Sequence, residues 1–267
     1  MEVGTSLLRK LRVIQRILGM QLGRSMQYRV DFLWSVASSL AELAVVVVFF
    51  GLVYRPDSTL THFWPWGRML WLLGVAHLVN GIHRFLFAGL NRLSDLVERG
   101  ELDLLLARPL HPLTLISWSR PSVSALLALP GAIPLLYYGA VLHPPRPGAN
   151  LPLFLVYLAV GVLMRYHLSV CTMLGSFWLV RAHALYYTVE ELGSLMRYPI
   201  VIFEGVGAIV LKYLLPVVLI ANVPVLALFE ELTAVLALYP VAFITALHFA
   251  ARILWSRGLA AYTSAGG

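Results

Sequence analysis

Long apolar stretches separated by short polar segments run through almost the whole sequence. A helix needs about 20 mostly apolar residues to cross the hydrocarbon core of a membrane. By that measure the pattern predicts seven candidate spans, at residues 32–53, 68–88, 115–142, 151–180, 184–203, 206–229 and 232–254. The sequence therefore predicts an all-α integral membrane protein with a single transmembrane domain over residues 1–267.

The distribution of basic residues predicts that both termini lie in the cytoplasm. Residues 1–31 are rich in Arg and have an amphipathic pattern, which indicates an interfacial helix in the headgroup layer. The C-terminal tail is basic as well, and cytoplasmic segments of membrane proteins are enriched in Lys and Arg. Two termini on one side require an even number of crossings, so one of the seven segments must return to the side from which it enters.

Segment 206–229 is the best candidate for the segment that does not cross. It is interrupted by Pro216, Asn222 and Pro224, and acidic residues flank it on both sides. Irregular backbone at membrane depth must be buried in protein or line a cavity. We therefore expect six transmembrane helices, with an outer re-entrant helical hairpin over residues 204–231 before the last span. The runner-up is 184–203, which is the least hydrophobic candidate span.

The composition narrows the possible functions. Apolar residues make up 60% of the chain and charged residues 12%, against about 45–50% and about 25% in soluble domains. The net charge is +7, but most basic residues are single Arg within apolar sequence, so nucleic acid is not an expected partner. The chain has no GxxxxGK[ST], HExxH or GxSxG motif and only one cysteine, Cys171. We expect it to bind no metal or cofactor and not to be an enzyme.

The long inner loop at residues 90–110 has an amphipathic pattern of its own. Its apolar residues share one helical arc, namely Leu90, Leu93, Leu96 and Val97. Polar residues occupy the opposite face, namely Asn91, Arg92, Asp95, Glu98 and Arg99. Gly100 is suited to a left-handed cap, and a second short helix follows until Pro109. The pattern predicts two short helices with a polar face toward the cytoplasm, or simply a connector that rests on the membrane.

This loop also carries a family resemblance. The run Glu98-Arg99-Gly100-Glu101-Leu102-Asp103, followed by Arg108-Pro109, resembles the E-x-G-x-L-[DE] … P signature of the permease subunits of ABC-2-type exporters. Further stretches resemble one bacterial branch of these permeases, including Phe177-Trp178-Leu179-Val180-Arg181-Ala182, Arg197-Tyr198-Pro199-Ile200 and Asn222-Val223-Pro224. Glu101 departs from the pattern, because many relatives have a small hydroxyl residue there.

The resemblance implies a multi-pass protein of the bacterial inner membrane that exports an amphipathic or apolar substrate. ATP and Mg²⁺ would be bound by separate cytoplasmic ABC ATPase subunits. A second permease subunit, identical or different, and membrane lipid are the other implied partners. The residues expected to couple this chain to the ATPase are Asn91, Asp95, Glu98, Arg99, Gly100, Leu102, Asp103, Arg108 and Pro109.

Ionisable residues inside the predicted spans form the second candidate site. At 1.5 Å per residue, Glu42 lies about 16 Å and Arg165 about 21 Å below the outer ends of their spans. We therefore expect these two charges to pair, because each is costly alone. With polar residues of similar or greater depth they would line a translocation path or form a structural polar cluster, and these residues are His77, Asn80, His83 and Glu190. An ion-coupled carrier or an intramembrane enzyme that uses Glu42 and Arg165 is the alternative function.

Overall fold

The computed structural model describes residues 29–54, 59–145, 150–179 and 182–263, together with Gly19. The described residues form helices and turns, without any β-strand, so the predicted all-α class is confirmed. The predicted interfacial helix at 1–31 lies outside the described residues, apart from Gly19 and its last three residues, which begin the first helix below.

Thirteen α-helices occur in the described part of the chain. They are α1 Arg29–Val53, α2 Thr59–Phe63, α3 Trp66–Phe87, α4 Leu93–Glu98, α5 Asp103–Leu106, α6 Pro112–Ser117, α7 Val123–Ala128, α8 Ala132–Leu142, α9 Leu151–Leu174, α10 Ala182–Gly193, α11 Gly205–Ile209, α12 Leu219–Leu228 and α13 Ala234–Ala261. We call the two ends of the bundle the α2 end and the α4 end, after the short helices that lie there.

Five helical stretches are long and apolar enough to cross a membrane. They are Val30–Val53, Trp66–Glu98, Val123–Leu142, Leu151–Phe177 and Ala234–Ala261. A sixth candidate is a pair of helices, Gly205–Leu214 and Leu219–Leu228, which meet at an angle of 84°. The chain is therefore a multi-pass membrane protein, as predicted.

Segment 184–203 departs from the predicted continuous span. Its helix α10 has only 12 residues, and two 3₁₀ turns follow, at Ser194–Arg197 and Ile200–Ile202. The helix alone is about 18 Å long, against about 30 Å for the hydrocarbon core. Pro199 interrupts the winding because it lacks a backbone N–H. The segment still reaches the α2 end, where Ile200–Ile202 contacts α2.

The bent helix pair has both of its ends at the α2 end of the bundle. Ile200–Ile202 precedes it there, and Glu231 follows it and forms an ion pair with Arg68 near the start of α3. Val217, at the bend, borders the same small cavity as Arg165 in the interior of α9. Both ends of the bent pair therefore lie near α2 and the start of α3, and its bend lies beside the interior of α9.

The core of the molecule lies where α3, α9 and α12 meet. All ten residues of α12 are buried, and this helix packs against both α9 and α3. Gly161 of α9 allows a close approach, because a Cβ atom there would lie 2.4 Å from the carbonyl oxygen of Ile220. Small residues commonly let helix backbones meet in this way in membranes. The helix α12 therefore anchors the bent pair to α9 and α3.

Candidate functional site

A cavity of about 510 Å³ opens between α1, α3, α9 and α10. Its charged, imidazole and amide-bearing side chains are Glu42, Asn80, His83, Arg84, Asn91, Arg165, Glu190, Glu191 and Arg197. Five of the six residues predicted for a buried polar cluster are among them. The sixth, His77, lies at a smaller adjoining cavity that Glu42 and Asn80 also border, and its Nε2 is 2.9 Å from the carbonyl oxygen of Ala128.

The expected pairing of Glu42 with Arg165 is wrong. Arg165 instead forms an ion pair with Glu190, with 2.5 Å between Nη2 and Oε2, and Glu42 pairs with Arg197 at 2.9 Å. Depth along a span cannot reveal which neighbouring helix faces a charge, and α10 packs directly on α9. Gly193 makes room for the guanidinium, since a Cβ atom there would lie 2.7 Å from Nη1 of Arg165.

The two ion pairs differ in burial. The Arg165 side chain is 7% exposed and that of Glu190 20%, whereas the Glu42 side chain is 53% exposed. Removing one partner of a buried pair leaves an uncompensated charge, which is costly, while exposed pairs contribute little. The Arg165–Glu190 pair should therefore contribute more to stability than the Glu42–Arg197 pair.

A hydrogen-bond chain extends this pair to α3. The hydroxyl of Ser169 donates to Oε1 of Glu190 at 3.0 Å, and Nε2 of His83 lies 3.3 Å from the same hydroxyl oxygen. Because the hydroxyl proton is used on Glu190, His83 donates through Nε2 and keeps a lone pair on Nδ1. That Nδ1 atom is buried without a hydrogen-bond partner among the described residues, as is Oδ1 of Asn91. The cavity region thus retains unused acceptors.

The connecting segment after α3 has the predicted cap. Gly100 has a φ of +70°, a conformation that glycine adopts without steric cost. The N–H of Glu101 donates to the carbonyl oxygen of Leu96 at 2.9 Å, and that of Gly100 to Val97 at 3.3 Å. This is the arrangement of a glycine C-cap that closes a helix. The helix α4 therefore ends abruptly and the chain reverses into α5.

The apolar arc of this segment is buried in the protein. Leu90, Leu93 and Leu102 are fully buried, and Leu96 is nearly so. Helix α4 packs on the turn at Gly175–Phe177, at the end of α9. The segment is thus fixed to the helical bundle, in contrast to a connector that only rests on lipid.

Most of the predicted coupling residues are exposed. The exposed set is Asp95, Glu98, Arg99, Asp103, Arg108 and Pro109. Asn91 and Leu102 differ, because Asn91 lines the polar cavity and Leu102 is an apolar anchor. Asn91 lies in a 3₁₀ turn, Ala88–Arg92, which rotates by about 120° per residue where the helical projection assumes about 100°.

The sequence did not predict the ion pair that joins the end of the 204–231 segment to α3. Both terminal nitrogens of Arg68 donate to the carboxylate of Glu231, at 2.8 and 2.6 Å. The guanidinium also lies over the rings of Trp64 and Phe229, with its central carbon 5.2 and 4.8 Å from their centroids. The acidic flank of the hairpin was visible in the sequence, but nothing there connects it with Arg68.

Asn222 is the second feature that was only partly foreseen. It was expected to interrupt a helix, but it lies within α12 and is fully buried. Its Oδ1 accepts from the N–H of Ile200 at 2.8 Å, and its Nδ2 donates to the carbonyl oxygens of Tyr198 and Val218 at 3.0 and 2.8 Å. The Asn222 side chain thereby provides hydrogen-bond partners for backbone groups in the irregular segment after α10, and it links that segment to α12.

Comparison with known families agrees with this architecture. A family model described as ABC-2 family transporter protein matches residues 40–266, which includes the polar cavity, the connecting segment and the hairpin. No curated protein and no solved structure matches the chain. The match covers most of the sequence, and the chain is a membrane component of a transporter and not itself a catalytic subunit. The chain belongs to the ABC-2 family of transporter proteins.

Proposed function

We propose that this chain is the permease subunit of an ABC exporter for an amphipathic or apolar substrate. ATP hydrolysis on separate cytoplasmic subunits would drive transport, with ATP and Mg²⁺ bound by those subunits. The observation that carries the proposal is the connecting segment at residues 93–109. It has a charged exposed face, a glycine cap and an apolar anchor in the bundle, so a force applied to the face reaches the spans.

The exposed face is suited to a protein contact. Glu98 and Arg99 are exposed at the end of α4, and Arg108 is exposed beyond α5. The hydroxyl of Ser94 donates to Oε1 of Glu98 at 3.1 Å, which orients that carboxylate. Charged groups at such a surface govern the choice of partner and the rate of association.

Co-purification with a cytoplasmic ABC ATPase subunit tests the contact. Glu98→Arg should abolish co-purification or weaken it at least several-fold, and Glu204→Arg is its matched control, because Glu204 is exposed at the α2 end. Gly100→Val should abolish both the stimulation of ATP hydrolysis by the permease and transport. The reason is that a β-branched residue at positive φ costs about 1–3 kcal/mol and strains the link between α4 and α5. Gly207→Val is the control, because no atom lies within 4 Å of its added Cβ. Normal binding and transport by both test variants would reduce the segment to a connector.

The polar cavity is proposed to form part of the translocation path, completed by a second permease subunit. Its wall combines ion-paired charges with the polar side chains of Asn80 and Asn91, which suits the polar group of an amphipathic molecule. An ion-coupled carrier would transport without the ATPase. Transport in proteoliposomes that requires ATP and the ATPase supports the exporter, and transport driven by an ion gradient alone supports the carrier.

The proposed topology has both termini in the cytoplasm of a bacterial inner membrane and the hairpin on the outer side. Six crossings result if α10 and its following turns cross as one broken helix. Single cysteines at Glu204 and Glu230, both exposed, are introduced in a Cys171→Ala background. Both should react with an impermeant thiol reagent from outside, because the two hairpin ends lie at the α2 end. Labelling from opposite sides would contradict the hairpin.

A further inference from the structure

A second cavity, of about 530 Å³, lies between α6, α9 and α13 and shares no lining residue with the polar cavity. Its walls are mainly apolar and include Val170 and Trp255. Three histidines and one arginine border it, namely His111, His167, His248 and Arg252. Sequence analysis assigned no role to any of them. Among the described residues no carboxylate lines this cavity, so its charge is basic.

Hydrogen bonding orders two of the histidines. Nδ1 of His167 lies 2.8 Å from the carbonyl oxygen of Leu163, and because a carbonyl only accepts, this nitrogen carries the proton. Nε2 of a neutral His167 is then an acceptor, and Nδ1 of His248, 3.4 Å away, is its donor. The remaining nitrogen of His248, Nε2, is not part of this hydrogen bond.

Arg252 adds a permanent charge to the same site. It follows His248 by four residues in α13, so both side chains lie on one helix face. It forms no ion pair with any other residue that the structure describes. His111 borders the same cavity, and its pKa is lowered, first by burial and second by the positive charge of Arg252.

We propose that this cavity binds the phosphate headgroup of an anionic membrane lipid, with Arg252 as its charged donor and His248 beside it. Arg252 is exposed, so its guanidinium is accessible to an anion that enters the cavity. Basic pockets between transmembrane helices are known to bind anionic headgroups. Trp255 and Val170 supply an apolar wall for an acyl chain. A free phosphate ion would not cover the apolar wall, which would stay in contact with water. A second copy of this chain has a net charge of +7, which disfavours its binding to a basic cavity.

The test uses the full-length protein in a neutral detergent. Its thermal unfolding midpoint is measured with phosphatidylglycerol, with phosphatidylcholine of the same acyl chains, and with inorganic phosphate. Phosphatidylglycerol should raise the midpoint more than the other two. Arg252→Gln should weaken the apparent affinity for phosphatidylglycerol about five-fold, the effect of one basic residue at a membrane surface. Arg257→Gln is the matched control, since Arg257 is exposed in the same helix but does not line the cavity, and it should bind like the parent.

Each other outcome overturns the proposal. Equal stabilisation by the two lipids removes the headgroup specificity, and an equal effect of inorganic phosphate identifies an ion site instead. Equal losses in Arg252→Gln and Arg257→Gln mean that only general surface charge matters. If Arg252→Gln fails to fold, native mass spectrometry of the parent and of His248→Gln decides, because the parent should retain at least twice as much phosphatidylglycerol per chain. The result does not depend on the ATPase, so it stands apart from the exporter proposal.

Discussion

Helices α1 and α12 have similarly apolar sequences and opposite surroundings. Most large side chains of α1 are exposed, with Val30 80% and Leu52 76% accessible, whereas all ten residues of α12 are buried. Lipid tails are as apolar as a protein core, so hydrophobicity does not distinguish a lipid-facing helix from a central one. Two specific features distinguish them: α12 has the hydrogen bonds of Asn222 and the close approach to Gly161, and α1 has neither.

The largest expected effect is that of Asn222→Leu. The substitution keeps the number and branching of the side-chain heavy atoms but leaves the N–H of Ile200 and the carbonyl oxygen of Tyr198 without their partner, at a cost of about 1–3 kcal/mol for each buried group. The yield of monodisperse protein in detergent should collapse, or the free energy of unfolding should fall by about 2–6 kcal/mol. Ser38→Leu on α1 is the control, because that hydroxyl is exposed, and we expect little change. Equal losses would contradict the contrast between the helices.

The charges beside the two helices provide the second comparison. Glu190→Gln should cost about 2–4 kcal/mol of stability, because it strands the buried Arg165, while Glu42→Gln on α1 should cost under about 1 kcal/mol, because the Glu42 side chain is 53% exposed. Unfolding in mixed detergents measures both. In double-mutant cycles with Arg165→Met, Glu190→Gln should be strongly non-additive and Glu42→Gln additive. Non-additivity for Glu42 instead would restore the pairing that depth alone suggested.

Matched glycines test the close approach of the helices. Gly161→Ala should cost about 1–3 kcal/mol by overpacking, since its Cβ would lie 2.4 Å from the Ile220 carbonyl oxygen. The residue four positions after Ile220 is Pro224, which has no N–H to donate to the Ile220 carbonyl oxygen within the helix. Gly51→Ala on α1 meets only Trp66 at 3.9 Å and should be neutral or slightly stabilising. Thermal unfolding midpoints check both, and a harmless Gly161→Ala would mean that α9 and α12 lie further apart.

The smallest effect is expected on the exposed face of α1. Val48→Leu should change the free energy of unfolding by less than about 0.5 kcal/mol, because Val48 is 60% exposed. Val225→Leu in α12 is the matched substitution at a fully buried site, where about 1–3 kcal/mol should be lost. A comparable loss at Val48 would reveal that a partner subunit covers α1.

Sequence reasoning succeeded where the signal is local. The positive φ at Gly100 and the buried arc of Leu90, Leu93 and Leu96 follow from glycine chemistry and helical periodicity. The break in the 206–229 segment was marked by Pro216 and the acidic flanks, but Pro224, which was also expected to interrupt the helix, lies inside α12. The position of Asn91 at the polar cavity did not follow from the projection, because the chain winds as a 3₁₀ turn there and the projection assumes a fixed α-helical angle per residue.

The membrane-embedded all-helical class, the broken hairpin segment and the capped connecting segment were determined by the sequence itself, because length, periodicity and glycine or proline chemistry act between near neighbours. The tertiary structure alone decided that Arg165 pairs with Glu190, that Glu231 pairs with Arg68, and that Asn222 binds the backbone after α10. These contacts join residues 22 to 163 positions apart. A charge or amide can satisfy itself with any suitable group at its depth, so only the packing of the helices selects the partner.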